Sequence, residues 1–180
     1  MRSYARNQGT QISNEALKTD MAVNDFNTLD TNTVLSYINA LKKIFVIEEM
    51  PAWNPNLRSK TAIRSTATRY FVDPSIAVAA LGIGPNDLLK GHNSFGFLFE
   101  TICVRDLRIF ADAMNGCVYH YRDKTGLECD AVIHLRNGDY SLIEIKLGGE
   151  IAIKQSAATL KKLRDRIDTE KMKEPSFLMV

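Results

Sequence analysis

Two carboxylates and one ammonium carry the strongest chemical signal in the chain: Asp130, Glu144 and Lys146. Hard cations such as Mg²⁺ are bound by one or two carboxylates together with substrate phosphate oxygens. A nearby lysine can orient an attacking water or help to deprotonate it. If the fold brings the three side chains together, they supply the groups needed to hydrolyse a phosphodiester with Mg²⁺ or Mn²⁺, with the metal at Asp130 and Glu144.

The segments that carry these residues are predicted to form one hairpin. Residues 127–135 and 140–146 have the composition and alternation of strands, and Asn137-Gly138 lies between them. An Asn-Gly pair between two such segments is a strong signal for a two-residue hairpin turn. The two strands are therefore expected to pair with each other.

Side-chain alternation along these strands limits which residues can meet. Glu128 shares a face with Asp130, and Glu144 shares a face with Lys146, because successive side chains of a strand point to opposite faces. The register of the hairpin then decides whether both pairs face the same way. The same charges also fit an ordinary solvated hairpin, so spacing alone does not establish catalysis.

Helices and further strands are predicted on both sides of the hairpin. A near-helical apolar period predicts a helix over 94–114, which carries Glu100, and a strand follows over 117–121. Beyond the hairpin, an amphipathic helix is predicted over 153–167 and a last strand over 177–180. The predicted order is helix, three strands, helix, strand, or αβββαβ.

This order, together with the residues at its key positions, resembles the PD-(D/E)XK nuclease superfamily. It is most similar to the DUF4143 region at the carboxyl end of bacterial and archaeal AAA+ ATPases. The resemblance also extends upstream through 41–55 and 69–75, so it covers most of the chain. The stretches that carry it are FLFE at 97–100, YHYRD at 119–123, GLECD at 126–130 and IEIKLG at 143–148.

The resemblance implies roles for four residues. In the superfamily the matching positions bind metal and position water, which assigns these roles to Asp130, Glu144 and Lys146, with Glu100 assisting. Cys129 stands where the motif has its proline, and many active members also lack that proline.

Three nearby residues have less specific interpretations. Glu100 also fits an ion pair with Arg105 or Arg122 on the edge of an apolar helix, and Glu128 fits a plain hairpin charge. Gln155 lies about where superfamily members sometimes carry a helix residue that contributes to the site.

The upstream half is predicted to be a winged helix. Helices are expected from Ser13 to about residue 22 and over 31–43, followed by strands over 45–50 and 69–72 with a basic loop between them. A glycine-containing break at 82–91 then separates two domains. The predicted fold is α/β, with a winged-helix domain at 1–81 and a restriction-endonuclease-like domain with a mixed central sheet at 88–180.

Basic residues in the first domain predict a DNA partner. In a winged helix the second helix faces the major groove and the loop touches phosphate. The residues concerned are Lys42 and Lys43 on the helix and Arg58, Lys60 and Arg64 in the loop. The alternative is a solvated basic face on a module that docks proteins, because fold does not imply function.

No P-loop is present, so ATP is expected only on an ATPase module that precedes this chain in the same polypeptide. The chain also stops on a predicted strand, which favours truncation of the second domain at its carboxyl end. The sequence indicates no particular oligomeric state.

The composition is that of a globular protein, with 180 residues, 45% hydrophobic content and a net charge of +2. Three cysteines, an odd number without C-x-x-C spacing, suggest neither a disulfide framework nor a zinc site, and they favour a reducing, cytoplasmic location. No apolar segment approaches the length of a membrane span. Trp53 is predicted to pack in the core, and the three scattered histidines to be packed or solvated.

Two functions from different classes remain. The first is a DNA-binding, metal-dependent nuclease region of a AAA+ ATPase. The alternative is a catalytically silent domain that recruits or regulates the ATPase.

Overall fold

The protein contains both helices and strands in a computed structural model that describes residues 1–24, 29–58, 63–90 and 92–180, without the side chains of 92–94. The helices are α1 Arg2–Arg6, α2 Asn14–Asn24, α3 Thr31–Lys43, α4 Pro74–Leu81, α5 Pro85–Lys90, α6 His92–Ala113 and α7 Glu150–Arg166. The strands are β1 Ile47–Met50, β2 Thr68–Phe71, β3 Gly116–Arg122, β4 Glu128–Leu135, β5 Tyr140–Ile143 and β6 Leu178–Met179.

The chain forms two units, one of residues 1–49 and 68–102 and the other of residues 50–67 and 103–180. Residues of α6 up to Ile102 belong to the first unit, and those from Cys103 belong to the second. The domain boundary predicted at 82–91 stays a prediction.

The first unit contains the helices α1 to α5 and the two-stranded sheet of β1 and β2. The predicted helices and strands are present: Ser13 Oγ accepts a hydrogen bond from the Ala16 N–H at the start of α2, and Asp30 accepts one from the Asn32 N–H at the start of α3. The short helices α1 and α5 were not predicted. Apolar side chains from several of these elements form the core, among them Tyr4, Leu17, Val34, Ile38, Ile47, Phe71 and Ala77.

The second unit is built on a four-stranded mixed sheet in the order β3-β4-β5-β6. The pairs β3–β4 and β4–β5 are antiparallel, whereas β6 is parallel to β5. The helix α7 packs Leu160 and Leu163 into the core of this unit, and Ile167, the residue after the helix, packs there as well; all three are fully buried. The order of elements from α6 onward is the predicted αβββαβ, and the sheet is mixed as predicted.

The segment between β1 and β2 differs from the prediction of a wing. It belongs to the second unit, where the backbone of Trp53 bonds to His120, that of Arg58 to Arg166 and that of Arg64 to Arg122. These backbone hydrogen bonds fix the segment along the second unit, which is why it is not a free loop of the first.

Within the part of the chain that the structure describes, no helix is long and apolar enough to cross a membrane.

Candidate active site

Asp130, Glu144 and Lys146 meet in the second unit. The Lys146 Nζ lies 2.8 Å from Asp130 Oδ2 and 3.0 Å from Glu144 Oε2. Both carboxylates therefore lie on the same side of the sheet, as the hairpin register requires. The prediction that the two acids and the lysine lie together is confirmed in geometry, while their catalytic role stays a prediction.

The pairing of β4 with β5 explains why the two carboxylates face each other. Ala131 pairs with Ile143, and the antiparallel register places Asp130 and Glu144 one step further along. Directly opposite residues of an antiparallel pair share a face and have close Cβ atoms. A three-residue turn over 136–138 sets this register: the Leu135 N–H donates to the Asp139 carbonyl, the Gly138 N–H donates to the Leu135 carbonyl, and Gly138 has φ +86°. The two-residue Asn-Gly turn predicted from the sequence would move the pairing by one residue and place Glu144 opposite Ala131, on the other face of the sheet.

A β-bulge lies at Asp130 itself. Tyr119 pairs with Val132 and Tyr121 pairs with Cys129, so two residues of β4, Asp130 and Ala131, lie opposite one residue of β3. A bulge of this kind bends the strand and changes the direction of side chains, and bulges are frequent next to active sites. The irregularity therefore coincides with the first acid of the site.

The strand β5 ends sooner than predicted, at Ile143 rather than at residue 146. The backbone N–H of Ile145 donates to Asp130 Oδ2 at 2.9 Å instead of joining the sheet. Asp130 thus accepts bonds from both this amide and the Lys146 ammonium on one oxygen. The Asp130 carboxylate thus accepts the bond of an amide that was predicted to continue β5, and the same hydrogen bond holds the carboxylate in place. Lys146 therefore lies beyond the end of β5.

Glu144 is the most buried member of the group. Its side chain is 3% exposed, against 16% for Asp130 and 39% for Lys146. Burial, reinforced by the negative charge of Asp130, raises the pKa of Glu144 to about 7. Although burial favours the neutral amine, the two carboxylates raise the pKa of Lys146 above its ordinary value, so the ammonium stays charged.

The adjacent thiol is not reactive. Cys129 is buried, and its Sγ donates to the carbonyl oxygens of Ala131 and Ile143 at 3.3 Å. Burial and then the charge of Glu144 raise its pKa above the ordinary value, so it stays a thiol. This side chain contributes packing and hydrogen bonds.

The carboxylate oxygens of Asp130 and Glu144 fit a hard cation that retains most of its water ligands. Glu144 Oε1 is buried, and it has no hydrogen-bond partner among the described residues. A buried carboxylate oxygen without a donor is costly, and a cation would satisfy it. Asp130 and Glu144 provide the one or two carboxylates typical of Mg²⁺ sites, although no group of three or more metal-binding side chains lies together in the described ranges.

Glu100, the predicted assisting residue, belongs to the first unit. Its Oε1 accepts a hydrogen bond of 2.6 Å from the Tyr70 hydroxyl of the same unit. This partner differs from Arg105 and Arg122, which were the partners considered from the sequence. Its assistance in catalysis stays a prediction.

The other acid and amide near the site occupy exposed positions. Glu128 lies 3.6 Å from Arg122 across the β3–β4 pair and is exposed, as expected for a hairpin charge. Gln155 lies on α7 with an exposed side chain. Neither residue takes part in the hydrogen bonds of the triad.

The predicted DNA-binding residues are spread over both units. Lys42 forms an ion pair of 2.6 Å with Glu49 in the first unit, and Lys43 is exposed at the end of α3. Arg58 and Arg64 are exposed in the second unit, where the Arg58 guanidinium also donates to Thr169 Oγ1. Lys60 lies outside the described residues.

Two features of the site had no signal in the sequence. Any residue supplies a backbone N–H, so nothing marked the Ile145 amide as a partner of Asp130. Burial of Glu144 depends on the surrounding chain, including the N–H of Glu144 donating to the Met179 carbonyl of β6. The raised pKa follows from that burial.

Comparison with known proteins identifies two domains. Residues 95–177 match the family model of DUF4143, a domain of unknown function, and residues 1–87 match that of DUF8612, also a domain of unknown function. The resemblance to DUF4143 is therefore confirmed for the second half, while the upstream half matches a different domain. No curated protein and no solved structure matches the chain. A DUF4143 domain is thus present at residues 95–177, with a DUF8612 match before it.

Proposed function

We propose that the second unit is a nuclease-like domain of the PD-(D/E)XK type that hydrolyses phosphodiesters with a divalent cation. The observation that carries the proposal is the convergence of Asp130, Glu144 and Lys146, with one buried oxygen of Glu144 left without a donor. The αβββαβ order and the mixed sheet support the same proposal.

Each residue of the triad has a role in this proposal. Asp130 and Glu144 would hold Mg²⁺ or Mn²⁺, which supplies charge neutralisation at the phosphate. Lys146 stays charged and can release one carboxylate to orient water or to stabilise the negative charge on the phosphate. Asp130 is fixed by the Ile145 amide, so it keeps its position when the lysine moves.

Cation binding and cleavage test this function together. We expect wild-type protein at pH 8 to bind Mn²⁺ weakly by calorimetry and to nick supercoiled DNA slowly, since Mg²⁺-type sites rely on phosphate oxygens to complete their ligands. Asp130→Asn and Glu144→Gln should abolish both activities. Glu128→Gln removes an exposed acid of the same strand, so it is the matched control and should change neither.

The nuclease proposal fails if the wild-type protein neither binds Mn²⁺ nor cleaves DNA, or if Glu144→Gln cleaves as well as wild type. The second candidate function, a silent interaction domain, is favoured by one observation: the Lys146 ammonium already contacts both acids, and Glu144 is almost fully buried. In that case Asp130→Asn and Glu144→Gln would change stability without changing cation binding.

DNA binding is the second part of the proposal. The helices and two-stranded sheet of the first unit support a winged-helix module whose α3 faces the groove. Arg58 and Arg64, exposed in the second unit, are proposed to contact phosphate. Lys42 and Lys43 at the end of α3 are proposed contacts as well, although Lys42 must first leave Glu49.

Salt dependence tests the phosphate contacts. Replacing both Arg58 and Arg64 by alanine removes two cations, so the slope of log affinity against log salt should become less steep by about 2. The loss should be similar for all duplex sequences. Lys161→Ala with Lys162→Ala removes the same charge from the exposed face of α7 and serves as control. Equal slopes for all three proteins would exclude Arg58 and Arg64 as contacts.

A AAA+ ATPase module of the same polypeptide is the proposed partner, on the strength of the resemblance to the carboxyl-terminal regions of such ATPases. ATP binding belongs to that module. If the natural polypeptide has no P-loop and no ATPase co-purifies with it, this part of the proposal is wrong.

A further inference from the structure

A cavity of about 490 Å³ lies in the second unit, away from the carboxylates. Trp53, Tyr119 and His134 form its aromatic wall, and Asn54 and Asn56 lie at its polar side. The volume is within the range of small-molecule sites. We propose that this cavity binds the uncharged planar ring of a nucleobase-like heterocycle.

The cavity and the triad occupy opposite ends of the same two strands. His134 pairs with Tyr140 at one end of β4 and β5, whereas Asp130 and Glu144 lie beyond the other end of the paired region. Four residues of strand separate His134 from Asp130, which corresponds to about 13 Å. The inference therefore does not rest on phosphodiester hydrolysis.

The aromatic wall is rigid. Trp53 is 3% exposed, and its ring packs against Tyr140 at a centroid distance of 5.0 Å and against His134 at 6.1 Å. Tyr119 packs edge-on against His134 at 6.5 Å, and both keep partly exposed surfaces. A fixed aromatic surface is suited to a flat ring, because little conformational freedom is lost on binding.

The protonation of His134 is fixed by Trp53. The indole N–H of Trp53 donates to His134 Nδ1 at 3.1 Å, and indole nitrogen can only donate. His134 Nδ1 must then be an acceptor, which leaves the proton on Nε2 as a donor. Burial lowers the pKa of His134, so the neutral ring is the form present near pH 7. The cavity wall thus offers a neutral donor rather than a cation.

Two amide side chains complete the recognition surface. Asn54 and Asn56 are exposed, and the backbone carbonyl of Asn56 is anchored by the Asp168 N–H at 2.9 Å. Each amide offers a donor and an acceptor, the combination that the edge of a nucleobase requires. The fixed backbone holds these amides beside the aromatic wall.

The charges at the cavity favour an uncharged ligand. Lys171 pairs with Asp168 at 2.7 Å, and Lys173 pairs with Asp139 at 2.6 Å. Each lysine that lines the cavity is therefore neutralised by a carboxylate. The phosphate of a nucleotide would be attracted by the two lysines and repelled to a similar extent by their two aspartates. A nucleoside should therefore bind about as well as its monophosphate.

Fluorescence of Trp53, the sole tryptophan of the chain, reports binding directly. We expect adenosine or cytidine to change this fluorescence saturably in the intact protein and to show saturation-transfer NMR signals on ring protons, whereas ribose does neither. Adenosine monophosphate should bind within about threefold of adenosine, because a phosphate has no net cation to meet.

Substitutions test whether the side-chain amides of Asn54 and Asn56 contribute to nucleoside binding. Asn54→Ala combined with Asn56→Ala should weaken nucleoside binding by about tenfold, as expected for two lost hydrogen bonds. Asn39→Ala, at an exposed asparagine of α3, should leave binding unchanged. The proposal is overturned if neither nucleoside binds saturably up to about 5 mM, if the double variant binds as tightly as wild type, or if the monophosphate binds much more tightly.

Discussion

Lys146 Nζ lies 3.0 Å from Glu144 Oε2 although the Glu144 side chain is almost fully buried and the lysine is partly exposed. The lysine therefore covers the acid and also connects it to Asp130, 2.8 Å away. Such a pair is costly to break by removing one partner, because a buried charge is then left alone. The arrangement links the stability of the second unit to the ionisation of Glu144.

The contribution of Glu144 to protein stability should fall as pH rises from about 4.5 to about 7. The pKa of Glu144 is raised from 4.5 to about 7, so in this window the folded protein keeps a proton on this acid that the unfolded chain has lost. At this group the folded state binds more protons, and its contribution to the free energy of unfolding therefore decreases with increasing pH. Burial lowers the pKa of His120 and His134, which act in the opposite direction, so the Glu144 contribution is the difference in slope between wild type and Glu144→Gln. Urea denaturation at several pH values measures both slopes. Glu144→Gln should remove the Glu144 contribution, and an unchanged slope in that variant would assign the effect to another group.

Lys146→Met should destabilise the protein more at pH 8 than at pH 5. The methionine keeps much of the side-chain volume but leaves both carboxylates without the ammonium. Because the ammonium lowers the pKa of Glu144, its removal penalises the ionised form of this buried acid, and at pH 8 we expect a loss of about 1–3 kcal/mol. At pH 5 Glu144 is already protonated, so the loss is smaller. Chemical denaturation at both pH values gives the comparison, and equal losses would show that the ion pair is energetically unimportant.

Asp123 is predicted to be a structural acid rather than a catalytic one. It is fully buried, pairs with the Arg166 guanidinium at 2.6 Å and accepts the Tyr121 hydroxyl at 3.1 Å. Asp123→Asn keeps the shape and removes the charge, so the free energy of unfolding should fall by about 3 kcal/mol in thermal or urea denaturation.

The control for this change is Asp165→Asn on α7. Asp165 pairs with Arg164 at 2.8 Å, but both side chains are exposed. An exposed pair contributes little, so the loss should stay below about 0.5 kcal/mol. Similar losses at the two aspartates would contradict the assignment of Asp123.

Gly116→Ala at the start of β3 should destabilise the protein. An added Cβ would lie 2.5 Å from Leu135 Cδ2 and 3.0 Å from the His134 carbonyl oxygen, and the backbone atom cannot move freely. We expect a loss of about 1–3 kcal/mol by thermal denaturation, typical of overpacking. Gly96→Ala in α6 meets nothing within 4 Å and should instead stabilise by up to about 1 kcal/mol through helix propensity. A Gly116→Ala variant as stable as wild type would show that β3 shifts easily.

The sequence alone determined the order of the elements from α6 onward and the members of the triad. Apolar periodicity gives α3, α6 and α7 their places, since helix formation depends on neighbours three and four residues apart. The Asn137-Gly138 pair predicts that the two strands form a hairpin. These features are local, so a single sequence contains them. The register that places Asp130 opposite Glu144 comes instead from the turn over 136–138, which is one residue longer than the Asn-Gly pair predicts.

Only the tertiary structure determined the detailed geometry of the site and the unit to which the segment between β1 and β2 belongs. The bulge at Asp130, the Ile145 amide that ends β5 and the burial of Glu144 depend on contacts between strands. The segment 50–67 was expected in the first domain, but it packs in the second through backbone hydrogen bonds to residues far along the chain. Every residue except proline has the same backbone N–H donor, so the sequence does not indicate which acceptor each N–H will bond to.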